Sequence, residues 1–205
     1  MPRFARVNLQ GKLSRYATSK DIILALCGVV NQDQVLNHAV EFTGDAVNTL
    51  SVADRLTIAN MTTEWGALCG VFPIDDRLID WYHERSRLFP DHPRINEKRV
   101  HSLKRFKADP DAKYHVDIDL DVSSIQPHVA GPNSVKKLQP VASLHSIEIQ
   151  KAYLVSCTNS RLQDLEAAAE VLKGRRIQSG VEFYISAASK EVLAAAIQNG
   201  LFFLS

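Results

Sequence analysis

The chain has 205 residues, of which 45% are hydrophobic and 23% charged, a composition typical of a globular rather than a disordered protein. Lys and Arg (24) nearly balance Asp and Glu (23), so the net charge of +1 predicts neither nucleic acid nor an anionic membrane as a partner. No stretch approaches the roughly 18 apolar residues of a membrane span, and the first residues lack a signal-peptide core. Three widely spaced cysteines argue against a disulfide framework and favour a reducing compartment.

Hydrophobic periodicity and end signals predict strands and helices in alternation along the chain. The predicted strands cover residues 5–9, 39–43, 114–120, 152–155 and 181–185. The predicted helices cover residues 20–30, a segment from Ser51 onward, 76–87, 162–172 and 190–199. Strand–helix–strand–helix order at these lengths predicts parallel strands with right-handed crossovers, and therefore an α/β fold.

Residues 89–110 interrupt this alternation with three prolines and a cluster of basic side chains. The basic residues are Arg94, Lys98, Arg99, Lys104, Arg105 and Lys107. Such a run is usually a solvated face or a linker, and the alternative is a surface for an acidic substrate or partner. We place a domain boundary here, so that residues 1–110 form one lobe and residues 111–205 a second.

A polar turn at residues 156–160 separates a predicted strand from a predicted helix. Ligands of open α/β sheets bind at the carboxyl ends of strands, where helix N-termini also point. Backbone N–H groups and the helix dipole there would stabilise Cys157 as a thiolate, the form that a nucleophile or a metal ligand requires. Thr158, Asn159 and Ser160 add hydrogen-bonding groups, although such residues also simply cap helices. No histidine lies near Cys157 in sequence to act as a base, which weighs against a thiol enzyme.

The remaining candidate residues are two cysteines and an amide–carboxylate pair. Cys27 lies in a predicted apolar helix and Cys69 follows a helical stretch, and both positions favour a structural role. Asn60 and Glu64 are four residues apart, so a helix would place them on one face. Together they suit recognition of hydroxyl or carboxylate groups or acid–base chemistry, and a surface pair is the alternative.

Two stretches resemble motifs of the aconitase superfamily. Residues 154–161 (LVSCTNSR), followed by Asp164, are similar to its cysteine signature, and residues 55–67 (RLTIANMTTEWGA) to its Asn-Met-x-x-Glu segment. The wording TTEWGAL resembles the fungal homoaconitase branch in particular, and residues 40–44 and 131–134 fit the same family. The resemblance implies two aconitase-type α/β/α lobes, the second of them incomplete in this chain.

The family consists of iron–sulfur hydro-lyases that move a hydroxyl between adjacent carbons of a di- or tricarboxylate through an alkene. The homoaconitase branch interconverts homocitrate, homoaconitate and homoisocitrate in the α-aminoadipate route to lysine, in the mitochondrial matrix. The resemblance implies that Cys157 is one of three thiolate ligands of a [4Fe–4S] cluster, whose open iron acts as a Lewis acid. It also implies that Glu64 is catalytic and that Asn60, Asn159 and Ser160 surround the cluster or the substrate.

Other parts of such a site are missing from this sequence. This sequence has no counterpart of the family's Cys-x-x-Cys pair, its catalytic Asp-His segment, its substrate-binding arginines or its catalytic serine. We also expect no transit peptide within these residues. We therefore expect an internal piece of a homoaconitase-type hydro-lyase that is inactive by itself. The alternatives are a non-enzymatic relic and a piece of a related aconitase or isopropylmalate isomerase.

Overall fold

The computed structural model describes residues 1–156 and 158–201, which belong to two compact units, Met1–Ser143 and Leu144–Ser205. The boundary predicted at residue 110 falls inside the first unit, because the strand that follows it pairs with the first strand of the chain. The division into family domains stays a prediction. None of the helices in the described ranges combines the length and apolarity that a membrane crossing needs.

A four-stranded parallel sheet forms the centre of the first unit. Its strands are β1 (Arg3–Gln10), β2 (His38–Thr43), β3 (Cys69–Val71) and β4 (Val116–Asp121), in the order β3-β2-β1-β4. The register places Ala5 between Val40 and Val116. Two short strands, β5 (His128–Ala130) and β6 (Leu138–Pro140), pair separately and antiparallel. The α/β fold class predicted from the sequence is therefore confirmed.

Helices connect the strands of this unit. They are α1 (Ser19–Val29), α2 (Val52–Asn60), α3 (Thr62–Trp65), α4 (Asp76–Leu88) and α5 (Glu97–Leu103), with 3-10 turns at Asp45–Thr49, Val122–Ser124 and Val141–Ser143. The predicted capping box at α2 is present: Asp54 N donates to Ser51 Oγ at 3.1 Å and Ser51 N donates to Asp54 Oδ2 at 2.9 Å. Two orphan N–H groups at the start of the helix are thereby satisfied.

Two features of this unit differ from the sequence prediction. The helix expected to run on from Ser51 stops at Asn60, because Met61 leaves helical geometry (φ −82°, ψ 2°) and the hydroxyl of Thr62 donates to the carbonyl of Ala59 at 2.7 Å. In addition, α5 occupies part of the stretch that was expected to be a linker. The six basic side chains of that stretch are exposed, as a solvated face predicts.

The core of the first unit lies on one face of the sheet. Ala5, Val7 and Leu9 of β1 are completely buried there, as are Ile22 and Ile23 of α1. The opposite face carries polar pairs, since alternate residues of a strand point to opposite sides. Its charged and polar contacts include the ion pair Arg6–Asp117 at 2.6 Å and the hydrogen bond from Asn8 to Asp119 at 2.8 Å.

The second unit repeats the strand–helix order with two strands. Its elements are β7 (Lys151–Leu154), α6 (Leu162–Leu172), β8 (Glu182–Ile185) and α7 (Lys190–Gln198). The two strands pair in parallel, which confirms the parallel pairing predicted from the strand–helix order. Ser189 caps α7 by accepting from Val192 N at 3.2 Å, and the helix ends where Leu201 N donates to Ala196 O at 2.9 Å. A mainly apolar cavity of about 320 Å³ lies against α6 and the strands.

Candidate functional site

The predicted cysteine loop joins the carboxyl end of β7 to α6, the position at which α/β sheets bind ligands. Cys157 itself lies outside the described residues, and its neighbours define the loop. Thr158 N donates to Ser156 Oγ at 2.8 Å, a hydrogen bond that spans the cysteine position in sequence. The guanidinium of Arg161 donates to the carbonyl of Thr158. Backbone and side-chain hydrogen bonds therefore fix the loop on both sides of residue 157.

Asp164, in the first turn of α6, organises the rest of this loop. Its carboxylate accepts from Arg161 N at 2.9 Å and from Asn159 Nδ2 at 3.3 Å. A carboxylate at this place also interacts favourably with the positive end of the helix dipole. Asp164, which was recognised in sequence as part of the cysteine motif, therefore positions the side chain of Asn159.

Ser160 is the most constrained residue of the loop. Its backbone is in the left-handed region (φ +61°), which is uncommon for a residue with a Cβ atom, and its carbonyl accepts from Ala188 N at 2.9 Å. The side chain is completely buried, and Ser160 Oγ has no hydrogen-bond partner within residues 1–156 and 158–201. An unsatisfied buried hydroxyl costs about 1–3 kcal/mol. This hydroxyl fits an iron–sulfur group at the loop, because the sulfurs of such a cluster accept hydrogen bonds.

The predicted amide–carboxylate pair, Asn60 and Glu64, lies in the first unit around the end of α2. Asn60 is the last residue of α2 and Glu64 lies in α3, and both are exposed. Because Met61 separates α2 from α3, Asn60 and Glu64 do not lie in one continuous helix as the sequence predicted. Trp65 anchors α3: it is buried, and its Nε1 donates to the carbonyl of Val30 at 2.6 Å. Glu64 therefore projects from a segment held firmly against the end of α1.

The two described cysteines have different surroundings. Cys27 is buried in α1, and burial, with a smaller contribution from the Glu64 carboxylate, raises the pKa of its thiol to about 11 against the opposing effect of Lys136. A thiol of this pKa stays protonated at neutral pH and is a poor metal ligand, which agrees with a structural role. Cys69 is exposed on β3, an edge strand. Within the described ranges, no three His, Cys, Asp or Glu side chains are grouped to hold a metal ion.

One contact of the first unit could not be found from sequence patterns. The ammonium of Lys136 lies 3.5 Å from the carboxylate of Asp33, so that a loop between β5 and β6 meets the residues after α1. The two positions are 103 residues apart, and neither belongs to a periodic segment or a motif of charged residues. Only the fold brings them together.

Both units contain parallel strands joined through helices. In the second unit, a polar loop whose sequence includes Cys157 lies between a strand and the next helix. The chain is therefore an α/β protein with a polar, cysteine-containing loop at the carboxyl end of a strand. The chain belongs to the aconitase family (aconitate hydratase), whose family model matches residues 1–146 and 134–203. Both motifs described above lie within the matched ranges. The resemblance noted in the sequence is therefore confirmed at the level of the family.

Curated relatives carry the name "Homoaconitase, mitochondrial". The protein of Candida parapsilosis is 55% identical over 197 residues, which cover 94% of this chain and 29% of that protein. The protein of Yarrowia lipolytica is 53% identical and matches 98% of this chain, and that of Cryptococcus neoformans is 49% identical over 94% of it. The chain spans about three tenths of the length of these relatives.

Proposed function

We propose that this chain carries part of the catalytic machinery of a homoaconitase-type hydro-lyase. The reaction is the interconversion of homocitrate, homoaconitate and homoisocitrate, for lysine biosynthesis in the mitochondrial matrix. The observation that carries the proposal is an identity of 49–55% to proteins named mitochondrial homoaconitase over nearly the whole chain. The ligand is accordingly a tricarboxylate, and neither nucleic acid nor a membrane takes part.

The role proposed for Cys157 is that of one thiolate ligand of a [4Fe–4S] cluster. When bound, the cluster supplies an iron that acts as a Lewis acid toward the substrate hydroxyl. The buried hydroxyl of Ser160 and the side chain of Asn159, held by Asp164, support this role because they give the loop hydrogen-bonding groups in fixed positions. The sequence has no Cys-x-x-Cys pair, so the other thiolates would come from outside these 205 residues.

The role proposed for Glu64 is proton transfer. Dehydration breaks the C–O bond of the substrate, and a carboxylic acid at Glu64 Oε would give the leaving hydroxyl the proton that makes it water and recover that proton in the reverse direction. The proton on the adjacent carbon would go to a base outside these 205 residues, and the electron pair of the C–H bond would form the alkene. The anchored Trp65 next to it supports this role, because acid–base catalysis needs a carboxyl group held in place. Asn60 would orient the substrate or the cluster through its amide.

A chimera tests the proposal. In the homoaconitase of Yarrowia lipolytica, the segment that matches this chain is replaced by residues 1–205, and hydration of homoaconitate is measured. We expect the chimera to be active and Glu64→Gln to lower kcat by roughly 10²–10⁴-fold. Glu84→Gln on α4, another exposed glutamate, is the matched control and should leave kcat unchanged.

Two results would oppose the proposal. A folded, inactive chimera would favour the non-enzymatic alternative, and full activity of the Glu64→Gln variant would remove the role assigned to that residue. The 205-residue chain by itself should show no hydration, because it offers a single cysteine in the proposed cluster loop.

A further inference from the structure

Two other segments of the first unit contact the carboxyl end of α1. From one side, α3 reaches it through Trp65, whose indole N–H donates to the carbonyl of Val30 at 2.6 Å. Glu64, the residue before Trp65, is exposed at this place. The carboxylate to which we assign proton transfer thus lies on a segment bound directly to the residues that follow α1.

The loop between β5 and β6 and the first residue of β6 reach the same end of α1. Leu138 packs on Gly28 so closely that a Cβ atom on the glycine would lie 3.0 Å from the Cβ of Leu138. Two residues earlier, Lys136 Nζ lies 3.5 Å from Asp33 Oδ1, and Lys136 N donates to Ser134 Oγ at 3.2 Å. The loop therefore places an ammonium group beside the segment that α3 contacts.

Glu64 and Lys136 also both affect the pKa of the buried Cys27 thiol. Burial is the main reason that the pKa of the Cys27 thiol is raised, Glu64 raises it further, and Lys136 lowers it. A carboxylate and an ammonium therefore act on the same thiol with opposite sign. This observation agrees with the contacts that bring α3 and the β5–β6 loop to the end of α1.

A tricarboxylate brings three negative charges to a site that already contains Glu64. Like charges repel, so binding requires a cation that can approach the ligand carboxylates. An ammonium group has three N–H donors, and the side chains of Lys136 and Asp33 are 35% and 66% exposed. An ion pair this long and this exposed is weak, so a ligand carboxylate can compete with Asp33 for the ammonium.

We propose that Lys136 binds a carboxylate of the tricarboxylate substrate beside Glu64, and that Asp33 is its partner when no substrate is bound. This inference rests on the proposed function, since it takes the substrate class from it. The alternative is a purely structural lysine that complements the carbonyl end of α1, whose last turn contains no basic residue. The two roles differ in what Asp33→Asn and Lys136→Gln do to anion binding.

Citrate, a readily available tricarboxylate, is the probe. It is titrated into the ¹⁵N-labelled 205-residue chain at low salt, with backbone amide shifts as the readout and sodium sulfate at matched ionic strength as the anion control. We expect saturable shifts at Ser134–Lys136 and around Glu64 with citrate. Lys136→Gln should weaken citrate binding about three- to fivefold and Lys136→Arg should retain it.

Two further variants separate the roles. Lys137→Gln removes a neighbouring exposed lysine of the same loop and should leave the citrate Kd unchanged. Asp33→Asn should tighten binding about twofold, because it frees the ammonium from its competitor. A structural lysine would instead give equal losses of stability in Asp33→Asn and Lys136→Gln with no change in the citrate Kd.

The inference is overturned if wild-type protein shows no saturable shift at Lys136, if Lys136→Gln binds citrate like wild type, or if Lys137→Gln loses as much affinity. None of these readouts depends on an iron–sulfur cluster or on turnover. Failure of the proposed function would appear in the chimera as missing activity, and it is therefore distinguishable from failure of this inference.

Discussion

The two units build their elements with the same kinds of helix cap and strand pattern, but they differ in how many apolar side chains they bury. In the first unit, Val7 of β1 and Phe42 of β2 are completely buried between the sheet and its helices. In the second unit, the buried apolar side chains in the described part are Leu165 and Ala196, and β7 and β8 keep partly or fully exposed side chains on both faces. A two-stranded sheet beside an apolar cavity is marginally stable. Helix caps and strand patterns therefore define the elements of both units, whereas burial decides how stable those elements are.

The largest expected effect tests the core of the first unit. Trp65→Ala removes a side chain that is 1% exposed together with its hydrogen bond to Val30, and it should lower the free energy of unfolding by about 3–5 kcal/mol. Urea denaturation followed by circular dichroism measures it. Trp81→Ala, at a half-buried position of α4, is the control and should cost clearly less. Equal losses for both tryptophans would contradict the picture of a core concentrated around α1 and α3.

The next effect tests the ion pair that joins α2 to the start of α4. Arg55 is 4% exposed and forms hydrogen bonds to Asp75 at 2.5 and 2.9 Å. Asp75→Asn leaves a buried guanidinium without its counter-charge and should cost about 3 kcal/mol at pH 7. Asp80→Asn, at an exposed position of α4, should change the free energy of unfolding by less than about 0.5 kcal/mol.

The Arg55–Asp75 ion pair also predicts that the free energy of unfolding depends on pH. The hydrogen bonds from Arg55 lower the pKa of the Asp75 carboxyl, so its stabilising effect is present above the carboxyl's unfolded pKa of about 3.9 and is lost as the pH falls through the lower folded value. The difference in unfolding free energy between wild type and Asp75→Asn should therefore shrink below about pH 4. A difference that stays constant between pH 7 and pH 3 would rule out this assignment.

The smallest expected effect compares equivalent caps in the two units. Ser51→Ala removes the cap of α2 and should cost about 1 kcal/mol in the main urea transition. Ser189→Ala removes the cap of α7 and should leave that transition unchanged while speeding amide hydrogen exchange in α7. If Ser189→Ala shifts the main transition as much as Ser51→Ala, the two units unfold together and the comparison fails.

Much of the fold was predictable because its signals are local. The alternation in β1, the N-cap of α2 and the strand–helix order of the second unit were all read from neighbouring residues, and the structure confirms them. The sequence did not predict α5 or the β5–β6 pair. A seven-residue helix and three-residue strands are too short to show a period, and prolines flank them.

The candidate site was predictable in its residue types and only partly in its geometry. The motif around Cys157 and Asn159 stands out in sequence. The structure adds the hydrogen bond from Asn159 to Asp164 and a buried Ser160 hydroxyl that has no hydrogen-bond partner among the described residues. The break at Met61 was missed, since a side-chain hydrogen bond between residues three apart competes with the helix without disturbing its apolar pattern. The contact of Lys136 with Asp33 depends on tertiary structure alone.

Cluster content in the Yarrowia lipolytica chimera tests whether Cys157 is a ligand of an iron–sulfur cluster. After anaerobic reconstitution with iron and sulfide, visible absorption and iron per protein are compared between Cys157→Ser and Cys69→Ser, with the exposed Cys69 as the matched control. We predict that Cys69→Ser retains the four-iron absorption of the parent chimera and that Cys157→Ser loses it. Equal cluster content in the two variants would contradict the account.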